Sequence, residues 1–217
     1  MRSPFADHAQ RMRAFEESFL YPVVSSEFCG GKDPAEVIDE LGSRGARIVQ
    51  LREKNRSGRD LFELACRCRE ITAKYRMLLL IDDRLDIALA CGADGVHLGQ
   101  DDLPVAAARR IAPELIIGAS THNADEIAAA QRDGCSYLNI GPIYPTATKS
   151  VSCGALGVEF FKQLKPLVKV PFSVMGGIKA RHIPELSALG ARHIAMVTGI
   201  IAEPELLGVY GSHPAGN

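Results

Sequence analysis

The chain contains no tryptophan, and only 6% of its 217 residues are aromatic. Its formal net charge is -1, so no overall field favours a nucleic acid or an anionic membrane as a partner. No apolar run approaches the roughly 18 residues that a membrane helix needs, and no stretch before the first strand resembles a signal peptide. These absences predict a cytoplasmic protein that holds any anionic ligand by local chemistry.

The six cysteines are scattered, and no two of them have the Cys-x-x-Cys spacing of zinc sites and redox motifs. Cys66 and Cys68 are two residues apart on a predicted helix, so their side chains face different directions. We therefore expect reduced thiols rather than a disulfide framework or a zinc site. The 47% of hydrophobic residues is enough, at this length, for one sizeable core.

Eight short β-prone segments alternate with amphipathic helical segments along the chain. Most of these segments are continuously apolar, as expected for parallel strands that are covered on both faces. They are FLYPVVSS, ARIVQLRE, MLLLI, GVHLG, LIIGAS, YLNIGPI, PFSVMGG and HIAMVTG. Eight β-then-α units of about 27 residues predict a single (β/α)8 TIM barrel, an α/β fold. A doubly wound open sheet is the alternative, because periodicity does not prove closure.

Capping residues mark the starts of several predicted helices. Asp33 precedes Pro34, which combines an N-cap with a proline in the first turn, and Asn123 begins a second helix in a similar way. Residues 1–18 are expected to form a short helical extension over the bottom of the barrel. Residues 211–217 are expected to be a flexible tail, so that residues 1–217 form one barrel domain.

Polar and charged residues follow most of the predicted strands, at the end where barrel enzymes carry their active sites. Gln50, Arg52 and Lys54 alternate at the end of the second strand and are predicted to face the same side. The other strand-end groups are Asp82 and Asp83; Gln100, Asp101 and Asp102; Ser120, Thr121 and His122; the segment GPIYPTATK; Gly176 and Gly177; and Thr198 and Gly199. Each group alone is often a cap or a solvated loop, but their recurrence predicts one site.

The chemistry of these groups predicts two sites for anions. Asp83 and Asp102 can share a hard cation such as Mg2+, which takes carboxylate, water and phosphate oxygens. Three cations offer positive charge to a phosphate or diphosphate. They are Arg52, Lys54 and Lys149. Gly176 and Gly177 precede a predicted helix, so their backbone amides indicate a second phosphate site.

Five motifs resemble those of the thiamine-phosphate synthase family, in order over residues 21–200. They are QLREK, DDRLDIALACGADGVHLGQDDLP, IIGASTHNADE, YLNIGPIYPTATK, and MGGI before ALGARHIAMVTGI. The resemblance implies a (β/α)8 barrel and a Mg2+-dependent transferase. This enzyme would condense 4-amino-5-hydroxymethyl-2-methylpyrimidine diphosphate with 4-methyl-5-(2-phosphoethyl)thiazole to give thiamine phosphate and diphosphate. The dissociative reaction that the family carries out needs positioning and leaving-group stabilisation rather than a protein nucleophile.

The resemblance also implies roles for individual residues. The pyrimidine diphosphate would be held by Gln50, Arg52 and Lys54, with Lys149 helping to neutralise it, and the three cations among these would act in catalysis. Ser120 would bind substrate. The Mg2+ ligands would be Asp83 and Asp102. The thiazole phosphate would be bound by Thr146, Thr148, Gly177, Val197 and Thr198.

Asp82 departs from the family, which commonly has an asparagine there. A carboxylate cannot donate a hydrogen bond to the diphosphate and would repel it. We therefore expect Asp82, counted among the substrate-binding residues, to assist the metal or to pair with a cation such as Arg84. The remaining possibility is that it turns away from the ligand.

Two other functions are left open by the sequence. A thiazole tautomerase of the sister family would use His122 as its acid or base. The second alternative is a catalytically silent barrel that binds a thiamine precursor, and Asp82 is the only residue that favours it. His97 is expected to be a packed, hydrogen-bonded histidine, and TKSVSCGALG, residues 148–157, a lid over the site. The predicted partners are the two small-molecule substrates, with neither nucleic acid nor membrane, and a homo-oligomer stays open.

Overall fold

The strands form a barrel in which each strand pairs in parallel with the next one along the chain, and the eighth also pairs with the first. The structure is a computed structural model that describes residues 3–146 and 154–210. The strands are β1 (Leu20–Val24), β2 (Ile48–Leu51), β3 (Leu78–Asp82), β4 (Gly95–Leu98), β5 (Ile116–Thr121), β6 (Tyr137–Ile140), β7 (Phe172–Val174) and β8 (His193–Met196). Closure confirms the predicted barrel and excludes the open sheet.

The helices lie between the strands and around the barrel. Those within the described ranges are α1 (His8–Glu16), α2 (Pro34–Ser43), α3 (Gly58–Lys74), α4 (Leu85–Cys91), α5 (Val105–Ile111), α6 (Ala124–Arg132), α7 (Gly157–Leu164), α8 (Ile183–Ala188), α9 (Thr198–Ala202) and α10 (Leu206–Tyr210). Short 3-10 turns lie at Ser26–Phe28, Lys165–Leu167 and Ala180–His182.

The strands are buried on both faces, which explains why their sequences are continuously apolar. Leu78 and Leu80 of β3 belong to a cluster inside the barrel. Leu79 and Ile81 of the same strand belong to the larger cluster between the strands and the helices. The two-residue period of a strand thus divides one apolar run between two cores.

The predicted caps are confirmed at α2 and α6. The side chain of Asp33 accepts a hydrogen bond from the backbone N–H of Ala35 at 2.8 Å, and Pro34 occupies the first turn. Asn123 accepts in the same way from the N–H of Glu126 at 2.9 Å. These side chains satisfy amides that a helix otherwise leaves without partners.

Helix α1 covers the amino end of the barrel. Phe15 is fully buried, with its ring centroid 4.5 Å from that of Tyr137 and 4.4 Å from that of His193. Arg11 donates to the carbonyl oxygen of Glu114 at 2.9 Å. The predicted tail, residues 211–217, lies outside the described residues, and the division of the chain into one domain with two extensions stays a prediction.

The described residues also bear on two expectations from the composition, one about the cysteines and one about membrane helices. The cysteines described by the structure, at positions 29, 66, 68, 91 and 135, are free thiols. None of the helices in residues 3–146 and 154–210 has both the length and the apolar character that a membrane span requires.

Candidate functional site

Charged side chains from the ends of β2 and β3 form one cluster at the carboxyl end of the barrel. The Nζ atom of Lys54 lies 3.0 Å from Asp82 Oδ2 and also contacts the Asp83 carboxylate. The Nε atom of Arg52 lies 3.6 Å from Asp82 Oδ2. Four residues predicted for one site are therefore neighbours, and the cations already have carboxylate partners.

Asp82 is buried, and its carboxylate is part of this cluster. Its Oδ1 atom accepts a hydrogen bond from Gln50 Nε2 at 2.5 Å. Burial and the charge of Asp83 raise the pKa of Asp82 to about 6, although Lys54 and Arg52 oppose the shift. Desolvation of the charged form is thus only partly offset by the two cations.

Asp82 pairs with cations, as one alternative expected, but they are Lys54 and Arg52 and not Arg84. The Nη2 atom of Arg84 lies 2.5 Å from Asp86 Oδ2, and its Nε atom donates to the same carboxylate at 2.9 Å. Arg84 immediately precedes α4, and Asp86 lies in the first turn of that helix. This local pair forms two residues apart on the exposed surface, whereas Asp82 lies inside the barrel mouth.

The carboxylate of Asp83 also contacts that of Asp102. Asp83 has a left-handed backbone with φ 61°, and its N–H donates to the carbonyl oxygen of His97 at 2.8 Å. Asp102 accepts from the N–H of Gly99 at 2.7 Å. Although burial raises the pKa of Asp83, hydrogen bonds from Lys54 and Asp102 hold it below its usual value. Burial and the hydrogen bond with Asp83 raise the pKa of Asp102.

This carboxylate pair has the chemistry of a magnesium site. Two carboxylates in contact repel each other when both are ionised, so a cation between them is favourable. Mg2+ is commonly held by one or two carboxylates together with water and phosphate oxygens. The residues present fit that donor set, although residues 3–146 and 154–210 contain no group of three or more His, Cys, Asp and Glu side chains arranged for a metal.

A cavity open to solvent lies beside the charged cluster. Its walls are mainly apolar, and it contains six residues that the sequence assigns to the site. They are Arg52, Ser120, Thr146, Gly177, Val197 and Thr198. Because Arg52 belongs both to the cavity wall and to the charged cluster, the two parts of the site are continuous.

The glycine pair after β7 allows close approach of the backbone to this cavity. Gly176 and Gly177 have φ values of 98° and 63°, which L side chains rarely adopt. A Cβ atom at Gly177 would collide with the carbonyl oxygens of Tyr144 and Pro145. The helical turn after the pair begins at Ala180, so the two glycines lie in a loop and not at the helix N-terminus that the sequence suggested.

A chain of buried hydrogen bonds inside the barrel joins the two parts of the site. The Tyr21 hydroxyl donates to Gln50 Oε1 at 2.9 Å and lies 2.9 Å from the Tyr137 hydroxyl. His97 lies between the Tyr137 hydroxyl, 2.8 Å from Nδ1, and Ser120 Oγ, 2.9 Å from Nε2. The prediction of a packed, hydrogen-bonded His97 is confirmed.

Sequence reasoning missed three inward-facing residues of this region: Tyr21, Tyr137 and Asn139. Asn139 is buried and lines the cavity. The available signal was the two-residue period of β6, since Tyr137 and Asn139 share one face of that strand. The apolar surroundings of these residues in the sequence concealed that signal.

His122 also lies in the cavity wall. Its Nδ1 atom is 2.8 Å from Glu126 Oε2, which also accepts from the N–H of His122 at 2.8 Å. Asn123 donates from Nδ2 to the other oxygen of Glu126 at 2.7 Å. His122 is therefore tied to the N-terminal cap of α6.

Two predicted substrate-binding residues, Thr148 and Lys149, lie outside the described residues. The same holds for most of the predicted lid, of which residues 154–157 are described.

Comparisons with known proteins agree with the fold and show the family. Residues 20–200 match the thiamine monophosphate synthase family. The thiamine-phosphate synthase of Shouchella clausii is 38% identical, over 84% of this chain and 88% of the relative. That of Methanospirillum hungatei is 38% identical, over 86% of this chain and 91% of the relative. The solved thiamine phosphate pyrophosphorylase from Pyrococcus furiosus is 32% identical, with a TM-score of 0.80, over 88% of this chain and 92% of that one. This chain therefore belongs to the thiamine monophosphate synthase family and is a transferase of that class.

Proposed function

We propose that this transferase joins 4-amino-5-hydroxymethyl-2-methylpyrimidine diphosphate to 4-methyl-5-(2-phosphoethyl)thiazole at the carboxyl end of the barrel. The bond between the pyrimidine methylene carbon and the diphosphate oxygen breaks, and its electron pair leaves with the diphosphate. The lone pair of the thiazole nitrogen then forms the new C–N bond. The products are thiamine phosphate and diphosphate.

The observation that carries the proposal is the continuity between a charged cluster and an apolar cavity. Arg52 and Lys54 supply two positive charges at the edge of an open, mainly apolar cavity. A diphosphate needs such cations, and flat, weakly polar rings need such walls. A dissociative displacement requires that both be present within one site.

Arg52 and Lys54 would bind the diphosphate and stabilise the charge that develops on it as it leaves. In the ligand-free arrangement both cations face Asp82. Diphosphate binding therefore competes with that carboxylate for the same cations. The amide of Gln50 is already engaged with Asp82 and Tyr21, so its proposed role is to orient these groups.

Mg2+ would be held by Asp83 and Asp102. When bound, it supplies positive charge to diphosphate oxygens. The left-handed backbone of Asp83 supports this role, because strained conformations of non-glycine residues cluster at functional sites.

The thiazole phosphate would occupy the side of the cavity formed by Gly177, Val197 and Thr198, with Thr146 beside it. Small residues and backbone amides suit the approach of a phosphate there. Ser120 would contact the pyrimidine from the opposite wall. Thr148 and Lys149 are assigned to the thiazole phosphate and to the diphosphate by resemblance alone. The proposal requires only these two small-molecule partners, and it places the reaction in the cytoplasm.

The test is release of diphosphate from the purified protein with both substrates, with and without Mg2+. Arg52→Met is expected to lower kcat by about 10²- to 10³-fold, because it removes a donor to the leaving group. Arg84→Met is the matched control, since Arg84 pairs with Asp86 on the surface, and it should retain the wild-type rate.

The same assay separates the proposal from a thiazole tautomerase. His122→Ala should leave coupling within about threefold of wild type, because a dissociative displacement needs no protein base. A tautomerase would lose most of its activity with this change. If the wild-type protein releases no diphosphate at any Mg2+ concentration, the proposed function is wrong.

A further inference from the structure

Asn139 is a buried amide at the wall of the cavity whose hydrogen-bonding groups have no partner. Its side chain is 2% exposed, and neither Nδ2 nor Oδ1 makes a hydrogen bond within the protein. Its strand neighbours in register are Ser120 and Ser173. Buried amides without partners are rare and costly, so this one requires an explanation.

Two other polar side chains near the cavity, Ser120 and Gln50, are already engaged. Ser120 Oγ lies 2.9 Å from His97 Nε2. Gln50, the other amide of the barrel interior near the site, donates to Asp82 and accepts from Tyr21. Asn139 is thus a buried amide of the cavity wall whose donor and acceptor are not used by any described group of the protein.

We infer that Asn139 recognises the aminopyrimidine edge of the pyrimidine diphosphate. This inference rests on the proposed function and names the group that selects one of its substrates. An amide presents one donor and one acceptor side by side, and the exocyclic amino group and adjacent ring nitrogen of a 4-aminopyrimidine present the complementary pair. The thiazole ring offers one nitrogen and no donor, and that nitrogen must stay free to attack.

The position of Asn139 agrees with this assignment. Asn139 is paired with Ser120, which lines the same cavity, and the cavity reaches Arg52 in the charged cluster. A pyrimidine that lies against Ser120 and Asn139 would therefore place its diphosphate towards the cations. The amide can take whichever orientation matches the donor and acceptor of the pyrimidine, because no partner among the described residues fixes its nitrogen or its oxygen.

Titration calorimetry with the pyrimidine diphosphate tests the inference. Asn139→Ala should bind it about 10- to 100-fold more weakly than wild type, as expected for loss of a buried hydrogen-bonded contact. Binding of inorganic diphosphate and of the thiazole phosphate should change less than about twofold. The matched control is Ser173→Ala. Ser173 is also buried and its hydroxyl also has no partner, but among the described residues it does not line the cavity.

An analogue with hydrogen in place of the 4-amino group completes a double-mutant cycle. It should bind wild type about tenfold more weakly than the natural pyrimidine, and it should bind Asn139→Ala with little further loss. If Asn139→Ala does not fold, Asn139→Ser, which copies the neighbouring strand residues, replaces it.

The outcomes separate this inference from the proposed function. Unchanged affinity of Asn139→Ala for the pyrimidine diphosphate, with normal coupling by wild type, overturns the inference alone. An equal loss for inorganic diphosphate and the pyrimidine diphosphate also overturns it, because the change would then act on the whole barrel mouth. No binding of the pyrimidine diphosphate by wild type overturns both.

Discussion

If Arg52 and Lys54 bind the diphosphate as proposed, Asp82 competes with the substrate for these cations. Its carboxylate faces Lys54 and Arg52, the two groups that a diphosphate needs, and it receives the amide of Gln50. Two unit charges about 4 Å apart interact by roughly 4 kcal/mol at an effective dielectric of 20. An ionised Asp82 therefore both repels the diphosphate and occupies its partners.

Asp82→Asn is expected to strengthen binding of the pyrimidine diphosphate by about tenfold, because it removes a like charge and releases Lys54. The new amide keeps an oxygen that can accept from Gln50. Calorimetric titration at fixed Mg2+ measures the effect, and Asp86→Asn, a carboxylate-to-amide change on the exposed surface, is the control.

A different result would identify Asp82 as a support of the metal. In that case, Asp82→Asn would require more Mg2+ for the same rate. Unchanged affinity and unchanged Mg2+ requirement would show that the interaction with Lys54 does not limit ligand binding.

At the scale of single residues, the sequence predicted which residues form the charged cluster better than it predicted which of them pair with each other. Gln50, Arg52 and Lys54 were identified because they alternate at a strand end. The partner of Asp82 was not, since Arg84 is near in sequence but Lys54 is near in space. Asn139 was missed because a lone polar residue in an apolar strand gives no information about whether its amide has partners.

Helix α1 closes the amino end of the barrel through one aromatic side chain. Phe15 packs against Tyr137 and His193, and its ring centroid is 6.3 Å from that of Tyr21. Two of these residues, Tyr21 and Tyr137, also carry the hydrogen bonds that lead to Gln50 and His97. The helix at the bottom of the barrel thus supports the floor of the site at the top.

Phe15→Ala should lower the free energy of unfolding by about 3 to 5 kcal/mol, because it leaves a cavity at a fully buried position. Chemical denaturation measures the loss. Phe62→Ala, at a ring that is 37% exposed, should cost less than about 1 kcal/mol. Similar small losses for both would show that α1 opens independently of the barrel.

The elements themselves were largely predictable. Six of the eight strands lie within the segments expected from apolar runs, and β3 and β5 each extend one residue beyond theirs. Asp33 and Asn123 cap their helices as expected. The structure of residues 175–179 was not predictable, because a short loop in which Gly176 and Gly177 have positive φ values has no periodic signal. The packing of Phe15 against the amino end of the barrel was not predictable either, since it depends on contacts with distant strands.

The whole molecule brings together residues that are far apart in the sequence. Pairing of β1 with β8 closes the sheet, so that the carboxyl ends of all eight strands surround one opening. Asp83 and Asp102 meet there, and Thr198 faces the same cavity as Arg52. Closure could not be derived from periodicity, because an open sheet has the same alternation of elements.

This arrangement predicts that Mg2+ and diphosphate stabilise the folded protein together more than the sum of their separate effects. Mg2+ with only two carboxylate ligands binds weakly, but diphosphate oxygens complete its shell. A ligand at ten times its Kd adds about 1.4 kcal/mol to stability, which is about 3 to 6 °C in Tm for a chain of this size. Thermal unfolding with Mg2+, inorganic diphosphate or both measures this. Asp83→Asn should abolish the excess and Asp86→Asn should retain it, whereas an excess that survives in Asp83→Asn would place the metal elsewhere.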